Sequence, residues 1–490
     1  MSADRLIPRP QNVVPQQGER FTVDGNVVIV NEGGPAISGL AKLCEAELTT
    51  MVGTEIQLVE SEEHVEARRP IRLILNDHPS LPQGKEAYVI TASANEVSLL
   101  ARKPKGLRDA LITLLRLVQF DAEGTAYVDP VIIEDAPRFG WRGLSLDVAR
   151  SFYPVDELKE VIDLMFAYKM NVLHLHLSDD QGWRLEIPSR PELTEISGKT
   201  AVAGGRAGHY TIDDYKGLVD YAAARGVEIV PEFDTPGHVN AATHAHADLN
   251  PDGQATDSYD GIEVGFSRLH GDLPETSQFL EDVFSAAAQV TPGKYIHVGG
   301  DEVYRMEKDE YTALLNDAAE QVHRSGKSVI AWQEAASPEN SPVDIIQFWL
   351  PSENRADVVR AARAGTKVVM SPSNRAYLDM KYDQSTEHGA TWAGLIELDQ
   401  AYGWDPSTQI RGVPEESVKG VEAAVWTEKI HDLDALMYML LPRLPAIAEV
   451  GWSAQEDREF RDFAKRIAGD SPWWDDRKWS WHQSPGVDWN

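Results

Sequence analysis

Apolar positions along this chain recur in two rhythms, and the change from one to the other falls near residue 137. Before it, short runs of strand length at 27–30, 55–59, 71–75, 87–91 and 97–101 are interrupted by two stretches at helical spacing, 37–51 and 107–120. That order predicts a small α+β domain over residues 1–137, with helices against one sheet. Its polar residues form no grouping that carries chemistry, so a supporting role is expected.

After Glu134-Asp-Ala-Pro137 the rhythm becomes strand, loop, helix. Eight apolar runs follow, at 143–148, 171–177, 227–231, 295–298, 328–332, 344–349, 367–370 and 421–426. Helical stripes follow most of them, clearest in Val155, Leu158, Ile162 and Met165 and again over 215–224 and 277–288. The α/β class is therefore expected, with a (β/α)₈ TIM barrel over 138–490 whose chemistry collects at the C-terminal ends of the strands. One unit departs from the pattern. Residues 334–343, Glu-Ala-Ala-Ser-Pro-Glu-Asn-Ser-Pro-Val, are too short and too rich in proline for a helix, and a loop is predicted there.

Composition narrows the function classes. With 490 residues, two domains are expected. The net charge of −32 gives a surface that repels nucleic acid and anionic membranes, and leaves uncharged or cationic small substrates open. A single cysteine, Cys44, rules out an internal disulfide and a cysteine-built metal site, and its apolar helical setting places it in a core. No stretch approaches the ~18 uninterrupted apolar residues of a membrane span, and the first ten residues lack a signal-peptide core. Cytoplasmic residence is the default expectation, unless a leader was removed. Oligomeric state is open, a homodimer included.

Chemistry concentrates where the predicted strands end. After the fourth, His297-Val-Gly-Gly-Asp301-Glu302 sets two carboxylates side by side where strand alternation breaks down, so both can face one pocket in unequal surroundings. Such inequality keeps one carboxyl protonated as a general acid and its neighbour charged. A turn into a helix N-terminus is the plainer reading of the same residues. Other strand ends supply Asp147 and Arg150; Asp179-Asp180; Glu232, Asp234 and His238; Trp332-Gln-Glu334; Trp349; Tyr377 and Asp379; Trp426 and Glu428. Acids, one arginine and several indoles, with almost no lysine, match a sugar pocket: charged groups grip hydroxyls and flat rings stack on C–H faces. The five tryptophans at 473, 474, 479, 481 and 489 are expected to pack the tail onto the barrel. A rival enzyme class rests on His174-Leu-His176, two imidazoles on one strand face that could hold a metal in an amidohydrolase-like barrel. The fifth and sixth strand ends offer no histidine to complete such a site, so histidines hydrogen-bonded inside the barrel are expected, with no metal and no cofactor.

The residues resemble the β-N-acetylhexosaminidases of glycoside hydrolase family 20 over nearly the whole chain. Seven ordered motifs carry the resemblance: Trp141-Arg-Gly143 through Asp147-Val-Ala-Arg150; His174-Leu-His-Leu-Ser-Asp179-Asp180-Gln-Gly-Trp183-Arg184; Pro231-Glu-Phe-Asp-Thr-Pro-Gly-His238; residues 297–303; Ala331-Trp332-Gln-Glu334; Ala376-Tyr377-Leu-Asp379; and Trp426-Thr-Glu428. Two departures are modest: Ser151 stands where many members have histidine, and His209 where an aromatic is usual, a change that bears on outer subsites.

The resemblance implies hydrolysis of terminal β-linked N-acetylglucosamine or N-acetylgalactosamine, assisted by the substrate's own acetamide and retaining the anomeric configuration. It implies Glu302 as general acid and then base, Asp301 as partner to the acetamide N–H, and Tyr377 as donor to the acetamide oxygen. Trp332, Trp349 and Trp426 would wall the acetyl group, and Arg150, Asp379 and Glu428 would fix hydroxyls. Trp392, Asp179 and His238 join the substrate-facing set, with Asp180, His297 and Glu334 as support behind. Gluco and galacto preference both stay open, as does a shaping of the outer site by residues 250–260 and 384–390. An alternative of another class is a catalytically silent sugar-binding protein on the same barrel.

Overall fold

The eight apolar runs of the C-terminal part close into a parallel barrel in the computed structural model, which describes residues 3–59, 68–338 and 341–489. Its strands are β1 (Trp141–Asp147), β2 (Val172–His176), β3 (Glu228–Glu232), β4 (Tyr295–His297), β5 (Ser328–Trp332), β6 (Ile345–Phe348), β7 (Lys367–Met370) and β8 (Val418–Val425). Each overlaps the run predicted for it. β1 pairs with both β2 and β8, which closes the cylinder. Continuous apolar runs become barrel strands because both faces are covered, by helices outside and packed side chains inside. The predicted stripes form Val155–Ala167, Ile212–Ala224 and Pro274–Val290. Thr211 and Asp214 start the second of these with reciprocal side-chain to backbone hydrogen bonds.

After β5 the chain makes only a short 3₁₀ turn, Gln333–Ala336, before reaching β6. The loop expected at 334–343 is present there, apart from residues 339–340, which lie outside the described residues. The β7–β8 connection is long, with only the short helix Leu398–Tyr402 and two 3₁₀ turns. The tail braces this connection: His482 Nε2 lies 2.7 Å from Glu397 Oε1, and the His482 ring stacks on Tyr382 with centroids 3.9 Å apart. Trp474 and Trp479 are buried, while Trp473, Trp481 and Trp489 pack partly buried against the barrel core.

The N-terminal part carries a seven-stranded mixed sheet in the spatial order Asn12–Pro15, Val131–Asp135, Tyr88–Ala92, Val97–Ala101, Arg69–Leu75, Val27–Asn31, Gln57–Val59. Helices Ser38–Val52, with Cys44 buried, and Pro104–Leu117 cover it. Five strands escaped the sequence reading: Asn12–Pro15, Phe21–Val23, Gln119–Phe120, Ala126–Val128 and Val131–Asp135. They are two to five residues long, and Asn12–Pro15 lies mostly in solvent, so no alternation marks it. The second helix ends at Leu117, short of 120, because Gln119–Phe120 pairs with Ala126–Val128.

Buried polar contacts join the two parts. Arg142 of β1 meets Glu86 at 2.8 Å, and the Trp452 indole reaches Asp135 at 3.1 Å while its ring packs into the N-terminal core. Removing one partner of such a buried pair strands a charge, at a cost of about 3–5 kcal/mol. Among the described residues, no helix is long and apolar enough to cross a membrane.

Candidate active site

Two glycines end β4 and aim both carboxylates. Gly299 has φ +73°, and a Cβ there would lie 1.8 Å from Asp234 Oδ1, so only glycine fits. Gly300 follows at φ +99°, and Glu302 itself sits at φ +51°, a region that non-glycine residues seldom adopt. Consecutive Asp301 and Glu302 therefore face the same cavity. They differ in depth: the Asp301 side chain is 11% exposed, that of Glu302 19%.

The cavity, about 550 Å³, opens at the C-terminal ends of the strands and gathers nearly all the residues singled out from the sequence. One wall is aromatic. Trp332 is buried, with its ring centroid 5.8 Å from Trp426, and Trp349 stacks on Tyr377 at 6.2 Å and 12°. Trp392, half exposed at the rim, meets both Trp349 and Tyr377 edge to face. A parallel bridge to Ala424 of β8 fixes Tyr377. Arg150, Asp379 and Glu428 line the cavity as well. Arg150 Nη1 and Asp379 Oδ1 are buried in its lining without a hydrogen-bond partner, and so are free to meet polar groups of a ligand.

A buried polar chain runs up the barrel to the carboxylates. His174 Nδ1 meets Glu422 Oε1 at 2.9 Å and its Nε2 meets Glu232 Oε2 at 3.0 Å. His176 bridges Glu232 at 2.6 Å and Asp179 at 2.7 Å. Asp179 also takes Arg150 at 2.8 Å and His238 Nδ1 at 3.3 Å, and His238 Nε2 approaches Glu302 Oε2 at 3.4 Å. With both oxygens taken, Asp179 holds Arg150 and His238 in place. Both nitrogens of His174 and of His176 face carboxylates. Burial works against their charge, but Glu232 outweighs it and raises them to about 9 and about 10. Imidazoles paired in this way serve as counter-charges to the carboxylates inside the barrel.

The remaining predicted residues stand back. Asp180 accepts from the Asn240 amide at 3.0 Å, His297 stacks on His174 at 4.6 Å, and Glu334 accepts the Trp349 indole N–H at 3.2 Å. His209 packs against Gly198 and is not part of the cavity lining. Of the two loops, Gly389 and Ala390 line the cavity, and residues 250–260 do not.

Comparison with known proteins decides the family. Residues 139–455 match the model of glycosyl hydrolase family 20, catalytic domain, and residues 3–136 match that of its domain 2. The chain belongs to glycosyl hydrolase family 20. A beta-N-acetylhexosaminidase of Cellulomonas fimi is 49% identical over 99% of this chain and 97% of its own length. The solved family-20 beta-N-acetylhexosaminidase of Streptomyces coelicolor A3(2) superposes with a TM-score of 0.93 at 38% identity, covering 100% of this chain and 99% of that one. The Streptomyces plicatus N-acetyl-beta-hexosaminidase, solved in complex with Thio-NAglucal, gives 0.93 at 39%, covering 100% and 98%.

In this family-20 hydrolase the two carboxyls are unequal, as expected, and Asp301 holds its proton more tightly than Glu302. Burial and the charges of Glu302 and Glu232 push Asp301 up to about 6, although His238 and a hydrogen bond with the raised, buried carboxyl of Asp234 oppose this. Burial also raises Glu302, but the His238 contact and charge, with Tyr304, bring it below the ordinary carboxylate range. Buried Glu334 rises to about 8. Sequence reading missed Glu422 and Gln347, whose amide donates to Glu422 Oε1 at 2.9 Å; both lie inside strands and not at their ends. The signal for Glu422 was one acid in an otherwise apolar run. It also missed Ile262, Val264 and Tyr304 on the rim, where exposed apolar residues look like any loop surface.

Proposed function

We propose that this glycoside hydrolase removes single terminal β-linked N-acetylglucosamine or N-acetylgalactosamine units from non-reducing ends, with retention, using the substrate's acetamide oxygen as the nucleophile. One observation carries the reading: adjacent carboxylates in unequal surroundings face an indole-walled cavity. A cavity of about 550 Å³ backed by buried Trp332 suits one sugar, which favours exo action.

In the first step the acetamide oxygen bonds to the anomeric carbon as the bond to the leaving oxygen breaks, and Glu302 gives that oxygen its proton. Asp301 accepts the acetamide N–H and faces the positive charge that develops on the ring so formed. Tyr377, whose hydroxyl burial keeps protonated, donates to the acetamide oxygen. Trp332, Trp349 and Trp426 enclose the acetyl group and keep water from the cyclic intermediate. Glu302, now a carboxylate, then takes a proton from the water that reopens the ring. Arg150, Asp379 and Glu428 orient the hydroxyls.

Substrate also corrects the order of the two carboxyls. An amide N–H on Asp301 favours its charged form, and that charge, with water expelled, raises Glu302 so that the proton resides on the acid. A chromogenic N-acetylglucosaminide should be hydrolysed, and the glucoside lacking the N-acetyl group should not. Equal rates on the two, or a covalent ester trapped on a protein carboxyl, would remove the acetamide from the mechanism.

A further inference from the structure

Tyr304 stands two residues beyond Glu302, 68% exposed on the rim, yet its phenol O–H reaches inward to Glu302 Oε1 at 2.9 Å. An aromatic side chain so exposed would ordinarily swing free. Here its ring is seated on Gly265 (φ +74°), where a Cβ would lie 2.3 Å from Tyr304 Cδ2. Ile262 and Val264 of the same loop, 54% and 36% exposed, flank it on the cavity rim. The other oxygen, Oε2, lies 3.4 Å from His238 Nε2, which makes no hydrogen bond of its own. Among the described residues the hydrogen bond fixing Glu302 therefore comes from Tyr304 at Oε1, and Oε2 is left to carry the proton.

We infer that Tyr304 is a positioning residue for the general acid, its hydroxyl fixing one Glu302 oxygen so that proton delivery is directed at the leaving group. The inference rests on the assignment of Glu302 as the acid. A neutral hydroxyl donor also favours the charged carboxylate, so Tyr304 tempers how tightly Glu302 holds its proton. The other groups facing Glu302 are His238, adjacent Asp301, Arg150 across the cavity and buried Glu334. None is altered when the phenol oxygen alone is removed.

Tyr304→Phe keeps the ring on Gly265 and deletes only the hydroxyl. On an N-acetylglucosaminide with a poor alkyl leaving group, where proton delivery matters most, kcat should fall about 3–10-fold, within the range by which a positioned acid contributes. The alkaline limb of the kcat profile, which reports Glu302 in the substrate complex, should move up by about 0.5–1 pH unit on loss of one hydrogen bond to a charged group. With a nitrophenyl leaving group the rate should change less than twofold. Tyr304→Leu should show the same pH shift with a raised KM as well. An unmoved limb, or equal losses on both leaving groups, would overturn the inference and leave Tyr304 as a wall of the outer site. Glu302→Gln separates the two levels. If that variant hydrolyses normally, the acid assignment fails; if it is crippled while Tyr304→Phe is silent, only the role of Tyr304 fails.

Discussion

The Trp332 indole N–H donates to Glu232 Oε1 at 2.8 Å, so the innermost wall of the sugar cavity is fastened to the polar core of the barrel. The same carboxylate meets His176 at 2.6 Å, His297 at 2.9 Å and His174 at 3.0 Å. Burial opposes its charge, but the three imidazoles hold it well below the usual range. Glu232→Gln should therefore lower unfolding free energy by about 3–5 kcal/mol, because imidazoliums raised by Glu232 are left buried without their counter-charge. Denaturant unfolding measures this, and KM should rise as Trp332 loses its anchor. A variant as stable as the parent would show that the histidines are neutral.

Glu302→Gln removes the proposed proton donor but keeps the shape. Turnover should fall about 10²–10⁴-fold, the range for general acid and base catalysis, with the largest loss on substrates whose leaving groups are poor. A panel of aryl N-acetylglucosaminides with graded leaving groups reads this directly.

For Asp301→Asn, activity and stability should move in opposite directions. Turnover should fall, and inhibition by a thiazoline mimic of the cyclic intermediate should weaken, because the amide cannot carry the negative charge that faces it. The folded protein raises Asp301 from 3.8 to about 6. A carboxyl raised on folding costs nothing below its unfolded pKa, and the penalty grows as pH passes through the folded value. The variant escapes that penalty. It should match the parent near pH 4 and exceed it by about 1–3 kcal/mol above pH 6.5, since each pKa unit is worth about 1.4 kcal/mol. Unfolding measured at pH 4 and pH 7.5 tests the sign.

The tail contact predicts an effect at a distance. His482→Ala deletes the 2.7 Å contact with Glu397 and the ring stacked on Tyr382, both on the connection that carries Tyr377, Asp379 and Trp392. Stability should drop by about 1–3 kcal/mol for a partly buried hydrogen bond to a charged group. Amide exchange over residues 381–397 should quicken, and KM should rise more than kcat falls. Unchanged exchange there would show that the tail only covers the barrel.

Much of this molecule was legible in its linear order. The period of the apolar positions gave eight strands and the place of the missing helix, because a strand buried on both faces must be apolar throughout and prolines forbid a helix after β5. The Gly-Gly-Asp-Glu turn and the indoles at strand ends marked the cavity, because a barrel brings its strand ends together whatever the loops do. Edge strands such as Asn12–Pro15 were not legible, since pairing with a distant partner, and not their own pattern, makes them strands.

What only the tertiary structure decided is which groups share charge. Glu422, Glu232 and His174 lie far apart in sequence and become one chain of charged contacts because β8, β3 and β2 project into a single interior. The proton order of Asp301 and Glu302 depends on His238, Glu232 and Tyr304 at distances that no spacing encodes. Residue types are written along the chain. The field each carboxyl feels is set by burial and by neighbours brought close in folding, and those belong to the three-dimensional arrangement alone.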